Sequence, residues 1–132
     1  MHYILHIDDN DIDRIILSRS LKKQFRELNI VSLESAALAE TYLNDLLSAG
    51  KQVPDLIITD NNMPEKTGFQ FVEYLKSAPT LNHIPIVMLS SSSLENDIER
   101  AYKLGVLSYM VKPLNPNAIM HISDFLKEEI KS

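Results

Sequence analysis

Short apolar runs recur along the chain, and longer segments with apolar residues at helical spacing separate them. The runs are rich in Ile, Val and Leu and show little polar alternation; they cover residues 3–7, 30–33, 56–59, 86–89 and 109–111. Such runs are typical of strands buried on both faces, as in a parallel sheet covered by helices. Five strands alternating with five helices predict an α/β fold with one doubly wound, five-stranded parallel sheet.

The segments between the runs carry the signals of helices. Gly105 is placed to end the fourth helix, the fifth is expected to begin near Pro116, and Ser92 with Glu95 form a capping-box pattern. We expect the first helix to bury an apolar stripe along one side. Ile12, Ile15 and Ile16 begin this stripe, and Leu17, Leu21 and Phe25 widen it.

Length and composition restrict the class of protein. The 132 residues fit one domain, and the absence of cysteine excludes disulfides, thiolate metal sites and cysteine nucleophiles. The net charge is −5 and the 13 Lys and Arg residues are scattered, which disfavours nucleic acid as a partner. No apolar run approaches the roughly 20 residues that span a bilayer, so we expect no membrane association. The absence of cysteine fits the reducing cytoplasm, where we expect the protein to act.

Polar side chains follow four of the five predicted strands. Asp8 and Asp9 come after the first run, Asp60 after the third, Ser90 after the fourth and Lys112 after the fifth. In open α/β sheets, ligands bind beyond the carboxyl ends of the strands. Taken singly, each residue also fits a structural interpretation as a helix cap, turn or loop residue, but their joint placement at one edge favours a functional site.

The chemistry of this set is specific. Three crowded carboxylates repel one another, and a hard divalent cation such as Mg²⁺ with oxygen ligands relieves that repulsion. A carboxylate beside such a cation can attack a phosphoryl group and form an acyl phosphate. Lys112 supplies a positive charge, and the Ser90 hydroxyl can donate a hydrogen bond to a phosphoryl oxygen.

The chain resembles the receiver domain of bacterial two-component response regulators, most closely the stand-alone kind. The resemblance depends on five motifs in order: Asp8-Asp9; residues 54–60 leading into Asn61-Asn62-Met63-Pro64; Gly68; residues 84–87 before Ser90; and residues 109–113 around Lys112-Pro113. It implies a flavodoxin-like (βα)5 receiver fold over residues 1–132, as a single domain without an output domain.

The resemblance also implies roles for individual residues. Asp60 is similar to the phospho-acceptor. Mg²⁺ would be held by Asp9, Asp60 and the backbone carbonyl of Asn62, and Asp8 would act mainly through a metal-bound water.

Three further positions match the family. Ser90 and Lys112 match the hydroxyl and the lysine that contact the phosphoryl group, and the peptide between Lys112 and Pro113 is expected to be cis. Tyr109 matches the aromatic switch position.

The implied partners are a sensor histidine kinase or a histidine phosphotransfer protein as donor, and an unidentified downstream protein. The implied protein is a signalling domain that assists its own phosphorylation and dephosphorylation, rather than an enzyme.

Four alternatives are weaker. A degenerate receiver would lack an acid or Lys112, and an aspartyl phosphatase or mutase typically has a second Asp where this chain has Asn62. A flavodoxin-like cofactor binder needs a phosphate loop after the first strand, where Asp8 and Asp9 would repel phosphate. A DNA-binding regulator would need an output domain after the fifth helix.

Overall fold

Strands and helices alternate throughout the part of the chain that the computed structural model describes, residues 3–131, with side chains described through residue 127. The elements in chain order are β1 (Tyr3–Ile7), α1 (Asp11–Gln24), β2 (Asn29–Leu33), α2 (Ala36–Ser48), β3 (Leu56–Asp60), α3 (Gly68–Ser77), β4 (Ile86–Ser90), α4 (Glu95–Leu104), β5 (Ser108–Val111) and α5 (Pro116–Lys131). The predicted five-stranded α/β fold is confirmed.

The strands form one sheet in the order β2-β1-β3-β4-β5, and every pair of neighbours is parallel. The register pairs Ile7 with Thr59 and Asp60 with Leu89, so the carboxyl ends of β1, β3 and β4 lie at one edge. The order reverses direction at β1, which has β2 on one side and β3 on the other. Such a reversal is the point at which doubly wound sheets bind ligands.

Two apolar cores cover the faces of the sheet. Leu5 of β1 packs in a cluster with residues of α2, α3 and α4, including Phe71. Ile4 faces the opposite way and packs with residues of α1 and α5, including Leu17 and Ile122. Each fully buried aliphatic side chain of this kind stabilises the fold by about 2 kcal/mol. Packing on both faces positions the central strands whose carboxyl ends form this edge.

The prediction that all strands are buried on both faces is wrong for β2 and β5. The residues of β1, β3 and β4 are all buried, whereas β2 and β5 are partly exposed. The sheet order explains the difference, because β2 and β5 are its two edge strands and have a neighbour on one side only.

The expected apolar stripe of α1 is also partly wrong. Leu17 and Leu21 are buried, but Ile12, Ile15 and Ile16 are exposed. At 100° per residue the leucines and the isoleucines lie on opposite faces of the helix. Because α1 is apolar on both faces, periodicity alone does not determine which face is buried.

Helix ends agree with the sequence in part. Gly105 follows α4 in the left-handed conformation and α5 begins at Pro116, both as predicted. The Ser92–Glu95 capping box does not form, since α4 begins at Glu95 itself and Ser92 Oγ donates to Asp97 at 2.6 Å. No helix within residues 3–131 is both long and apolar enough to cross a membrane.

Candidate functional site

The predicted site residues lie at the carboxyl ends of four strands. Asp8 follows β1, Asp60 is the last residue of β3, Ser90 is the last residue of β4, and Lys112 follows β5. The structure therefore brings the acids and the lysine to one edge of the sheet, as the sequence predicts. The peptide between Lys112 and Pro113 is cis, as the resemblance implies.

Three carboxylates form a compact cluster at this edge. Asp8, Asp9 and Asp60 each offer an oxygen, and these oxygens all lie within 4.8 Å of one another. Asp8 and Asp60 are buried, whereas Asp9 is exposed and opens the cluster to solvent. Hard divalent cations prefer such oxygen ligands, so the donor set fits Mg²⁺.

Lys112 neutralises part of this charge. Its Nζ lies 2.7 Å from Asp8 Oδ2, 2.9 Å from Asp13 Oδ2 and 3.3 Å from Asp60 Oδ2. Burial alone lowers the pKa of Lys112, but the hydrogen bonds to Asp8 and Asp13 outweigh it and raise the pKa above its ordinary value. The lysine is therefore a fixed positive charge shared by three carboxylates.

The Asp60 carboxyl group is harder to ionise than an ordinary aspartate. Burial, and then the negative charge of Asp8, raise the pKa of Asp60 to about 6, although Lys112 and the backbone N–H of Asn61 oppose the rise. One lysine thus compensates the carboxylates incompletely. A cation at the cluster would supply the missing positive charge, which is a second reason that the residues fit Mg²⁺.

The backbone around Asp60 is fixed by the start of α3. Asn61 N donates to Asp60 Oδ1 at 2.7 Å, and Asn61 Oδ1 accepts from Phe69 N at 3.0 Å. The backbone N–H of Gly68 donates to the Asn61 carbonyl at 3.0 Å. A Cβ at Gly68 would lie 2.2 Å from the Asp60 carbonyl oxygen, so only glycine permits this approach.

Ser90 and Tyr109 both contact the loop between β4 and α4. Ser90 Oγ is buried and accepts from Ser92 N at 3.2 Å. The Tyr109 hydroxyl donates to the Ser92 carbonyl at 2.7 Å. The predicted switch residues are therefore linked through Ser92. Asn62 lies beside this loop, and its side-chain amide donates to Ser91 Oγ at 3.0 Å.

Two residues near the cluster were not predicted to belong to a site. Asp13, an acid in the first turn of α1, contacts Lys112. His6 is fully buried, and its Nε2 lies 3.9 Å from Asp8 Oδ2. Among the described residues neither ring nitrogen of His6 has a hydrogen-bond partner, and burial lowers its pKa to about 3. Asp13 lies in the first turn of α1, but the sequence does not show which face of this helix turns toward Lys112, and His6 gave no signal either.

Comparison with known families shows which family this fold belongs to. The family model described as the response regulator receiver domain matches residues 4–124. The chain belongs to this family. The receiver domain therefore covers nearly the whole chain, and the resemblance inferred from the five motifs is confirmed.

Similar proteins of known sequence or structure agree. Two-component response regulator ORR3 of Oryza sativa is 31% identical over 120 residues, covering 91% of this chain and 86% of that protein. The phosphorylated cyanobacterial phytochrome response regulator RcpA has a TM-score of 0.82 and 32% identity, covering 97% of this receiver and 93% of that chain. The Mn²⁺-bound form of response regulator Rcp1 also has a TM-score of 0.82, with 26% identity over 95% of this receiver and 91% of that chain. Because the relatives include plant proteins, membership does not identify a bacterial source.

Proposed function

We propose that this receiver accepts a phosphoryl group on Asp60 and signals through the surface that responds to it. The observation that supports the proposal most is the cluster in which Asp8, Asp9 and Asp60 offer oxygens within 4.8 Å of one another, with Lys112 Nζ 3.3 Å from Asp60. The similarity to a receiver solved in its phosphorylated form adds support.

The transfer is a displacement at phosphorus. The N–P bond of a phosphohistidine donor breaks as an O–P bond forms to a carboxylate oxygen of Asp60, and the bonding electron pair stays on the imidazole nitrogen. The Asp60 carboxylate becomes a neutral acyl group that carries a phosphoryl dianion. Lys112 then pairs with a phosphoryl oxygen, since it already lies beside Asp60 and carries a fixed charge.

Asp8, Asp9 and Asp60 are the proposed holders of Mg²⁺, with Asp8 acting mainly through a metal-bound water and the Asn62 carbonyl as a further ligand. Mg²⁺ supplies neutralisation of the phosphoryl oxygens when it is bound. The similarity to a receiver solved with Mn²⁺ supports a cation at this edge. The same residues would assist the later hydrolysis of the acyl phosphate, which is the sense in which the domain acts on itself.

Ser90 and Tyr109 are the proposed switch. Ser90 Oγ accepts from Ser92 N, and Tyr109 donates to the Ser92 carbonyl. If the Ser90 hydroxyl turns to donate to a phosphoryl oxygen, its contact with Ser92 N changes. Ser92 and the Tyr109 ring then move together, which alters the surface formed by α4, β5 and α5.

A sensor histidine kinase or a histidine phosphotransfer protein is the proposed donor. Its phosphohistidine has to reach Asp60, so the donor must cover the sheet edge and the beginning of α1. Ile12, Ile15 and Ile16 are exposed there. Exposed apolar patches of this kind are typical of protein–protein contact sites. The downstream partner is a protein that recognises the switched surface.

A labelled phosphotransfer assay tests the proposal. With Mg²⁺ and a donor labelled on its phosphohistidine, the wild type should gain label, whereas Asp60→Asn and a Mg²⁺-free reaction should not. Asp45→Asn is the matched control, because Asp45 is an exposed acid on α2, outside both the cluster and the proposed donor surface. Full labelling of Asp60→Asn would remove Asp60 from the role of acceptor.

The remaining expectations stay predictions. They are a cytoplasmic location, a single acting domain over residues 1–132 and the absence of nucleic acid or membrane partners.

A further inference from the structure

We propose that Asp13 is a positioning residue that sets how Lys112 divides its charge between the metal cluster and the phosphoryl group. The inference rests on the proposed function, since it concerns the same lysine. It adds a residue outside the predicted acceptor, metal and switch positions.

The contacts of Lys112 support this role. Its Nζ lies closer to Asp13 Oδ2, at 2.9 Å, than to Asp60 Oδ2, at 3.3 Å. Asp8 Oδ2 accepts the third contact, at 2.7 Å. The ammonium group thus lies between the buried acids of the cluster on one side and the partly exposed Asp13 on the other.

The backbone fixes Asp13 in this place. Asp13 belongs to the first turn of α1, and its N–H donates to the side chain of the N-cap residue Asn10 at 3.0 Å. Leu17, one turn later, is buried on the same side of the helix. The Asp13 carboxylate therefore faces the sheet edge rather than the exposed isoleucine face of α1.

The position of Lys112 has opposite consequences for two ligands. A divalent cation at Asp8, Asp9 and Asp60 is repelled by an ammonium group held among those acids, so Asp13 favours the cation by drawing Lys112 toward itself. A phosphoryl dianion on Asp60 needs Lys112 as its partner, so there Asp13 acts as a competing acceptor and as a like charge. Asp13 therefore favours the metal and disfavours the phosphoryl group.

A neighbouring acid provides a matched comparison. Asp11 lies two residues earlier in the same first turn of α1, pairs with Arg14 and has a side chain 81% exposed, against 27% for Asp13. Both residues contribute a negative charge near the helix N-terminus, which stabilises a helix in either case. Asp13 contacts Lys112, whereas Asp11 contacts Arg14.

The test compares Asp13→Asn with Asp11→Asn in the full chain. Titration calorimetry would give the dissociation constant of Mg²⁺, and then that of beryllofluoride, a mimic of the phosphoryl group, at saturating Mg²⁺. In Asp13→Asn we expect Mg²⁺ binding about fivefold weaker and beryllofluoride binding about fivefold tighter, the factor that a partly exposed ion pair supplies. Asp11→Asn should change both by less than about twofold.

Opposite changes in the two affinities distinguish a positioning role from a structural one, because a damaged fold would weaken the binding of both Mg²⁺ and beryllofluoride. Equal behaviour of the two variants, or weakening of both ligands in Asp13→Asn, would overturn the inference while leaving Asp60 as acceptor. A wild type that binds neither Mg²⁺ nor beryllofluoride would overturn the inference and the proposed function together.

Discussion

At Asp60, burial and the charge of Asp8 both disfavour the ionised carboxyl group, and its pKa rises to about 6. The native state therefore binds a proton at this position more strongly than the unfolded chain does. As pH increases from about 4 to above about 6, the metal-free protein loses stability relative to a variant without this charge, by up to about 3 kcal/mol. A bound cation, or transfer of a phosphoryl group to Asp60, would remove this cost of ionising the Asp60 carboxyl group.

Asp60→Asn should accordingly stabilise the metal-free fold. With a chelator present, urea unfolding should show the variant more stable than wild type by about 1–3 kcal/mol near pH 8, with the difference vanishing below about pH 4. Asp45→Asn, on the exposed side of α2, makes the same chemical change away from the cluster and should have little effect. A destabilised Asp60→Asn variant near pH 8 would contradict the account of a strained carboxylate.

Sequence identified the residues of the cluster but not all their contacts. Asp8, Asp9, Asp60 and Lys112 were predictable because each follows a strand, and parallel strands bring such positions together. Asp13 was not, because its part depends on which face of α1 turns toward Lys112. Packing against the sheet determines the orientation of α1. Because α1 is apolar on both faces, the periodicity of its sequence does not reveal that orientation.

Among the helices and strands, α3 approaches the end of β3 closely at Gly68. Gly68→Ala would place a methyl group 2.2 Å from the Asp60 carbonyl oxygen, so α3 or the Asp60–Asn61 backbone must move. We expect destabilisation of about 2 kcal/mol or more, together with loss of most phosphorylation.

Gly50→Ala is the control for this change. Gly50 has φ +65° and no atom within 4 Å of an added Cβ among the described residues, so its variant should lose only about 1 kcal/mol and keep its phosphorylation. Urea unfolding and the labelled assay measure both effects. If Gly68→Ala behaves like Gly50→Ala, the close approach does not hold the acceptor in place.

The hydroxyl of Tyr109 connects β5 to the loop before α4. Tyr109→Phe removes its hydrogen bond to the Ser92 carbonyl and should reduce stability by about 1 kcal/mol. Amide exchange should become faster in residues 91–93. Tyr74→Phe, which removes a bond to Asn44 on α2, is the matched change away from this loop. Unchanged exchange in residues 91–93 would separate Tyr109 from the loop.

Helix caps illustrate how local signals are satisfied or overridden. Thr67 and Gln70 form a capping box at the start of α3, with Thr67 N donating to Gln70 Oε1 at 2.9 Å. Ser92 and Glu95 have the same pattern in sequence, yet the Ser92 hydroxyl bonds to Asp97 instead. The contact of Ser92 with Tyr109 comes from a distant strand, and no local pattern reveals it.

In the assembled molecule, α1 is the helix that we expect to contact the donor protein. Ile15→Ser should reduce phosphotransfer from a histidine-containing protein about fivefold or more, because an apolar contact is lost. Phosphorylation by a small donor such as acetyl phosphate should remain unchanged.

Leu107→Ser is the matched control for the donor surface. Leu107 is 49% exposed, close to the 50% of Ile15. It directly precedes β5 and so lies at the amino ends of the strands, away from the acidic cluster at their carboxyl ends. Its variant should accept phosphate at the wild-type rate from both donors. Equal losses in the two variants would mean that the donor does not bind at α1.

The decisive experiment identifies the residue that carries the phosphoryl group. After phosphorylation by acetyl phosphate with Mg²⁺, borohydride reduction converts an aspartyl phosphate into homoserine, and peptide mass spectrometry locates it. We predict homoserine at Asp60 alone, and none when Mg²⁺ is chelated. Homoserine at Asp8 or Asp9, or its absence from the Mg²⁺-treated protein, would show that Asp60 is not the phospho-acceptor.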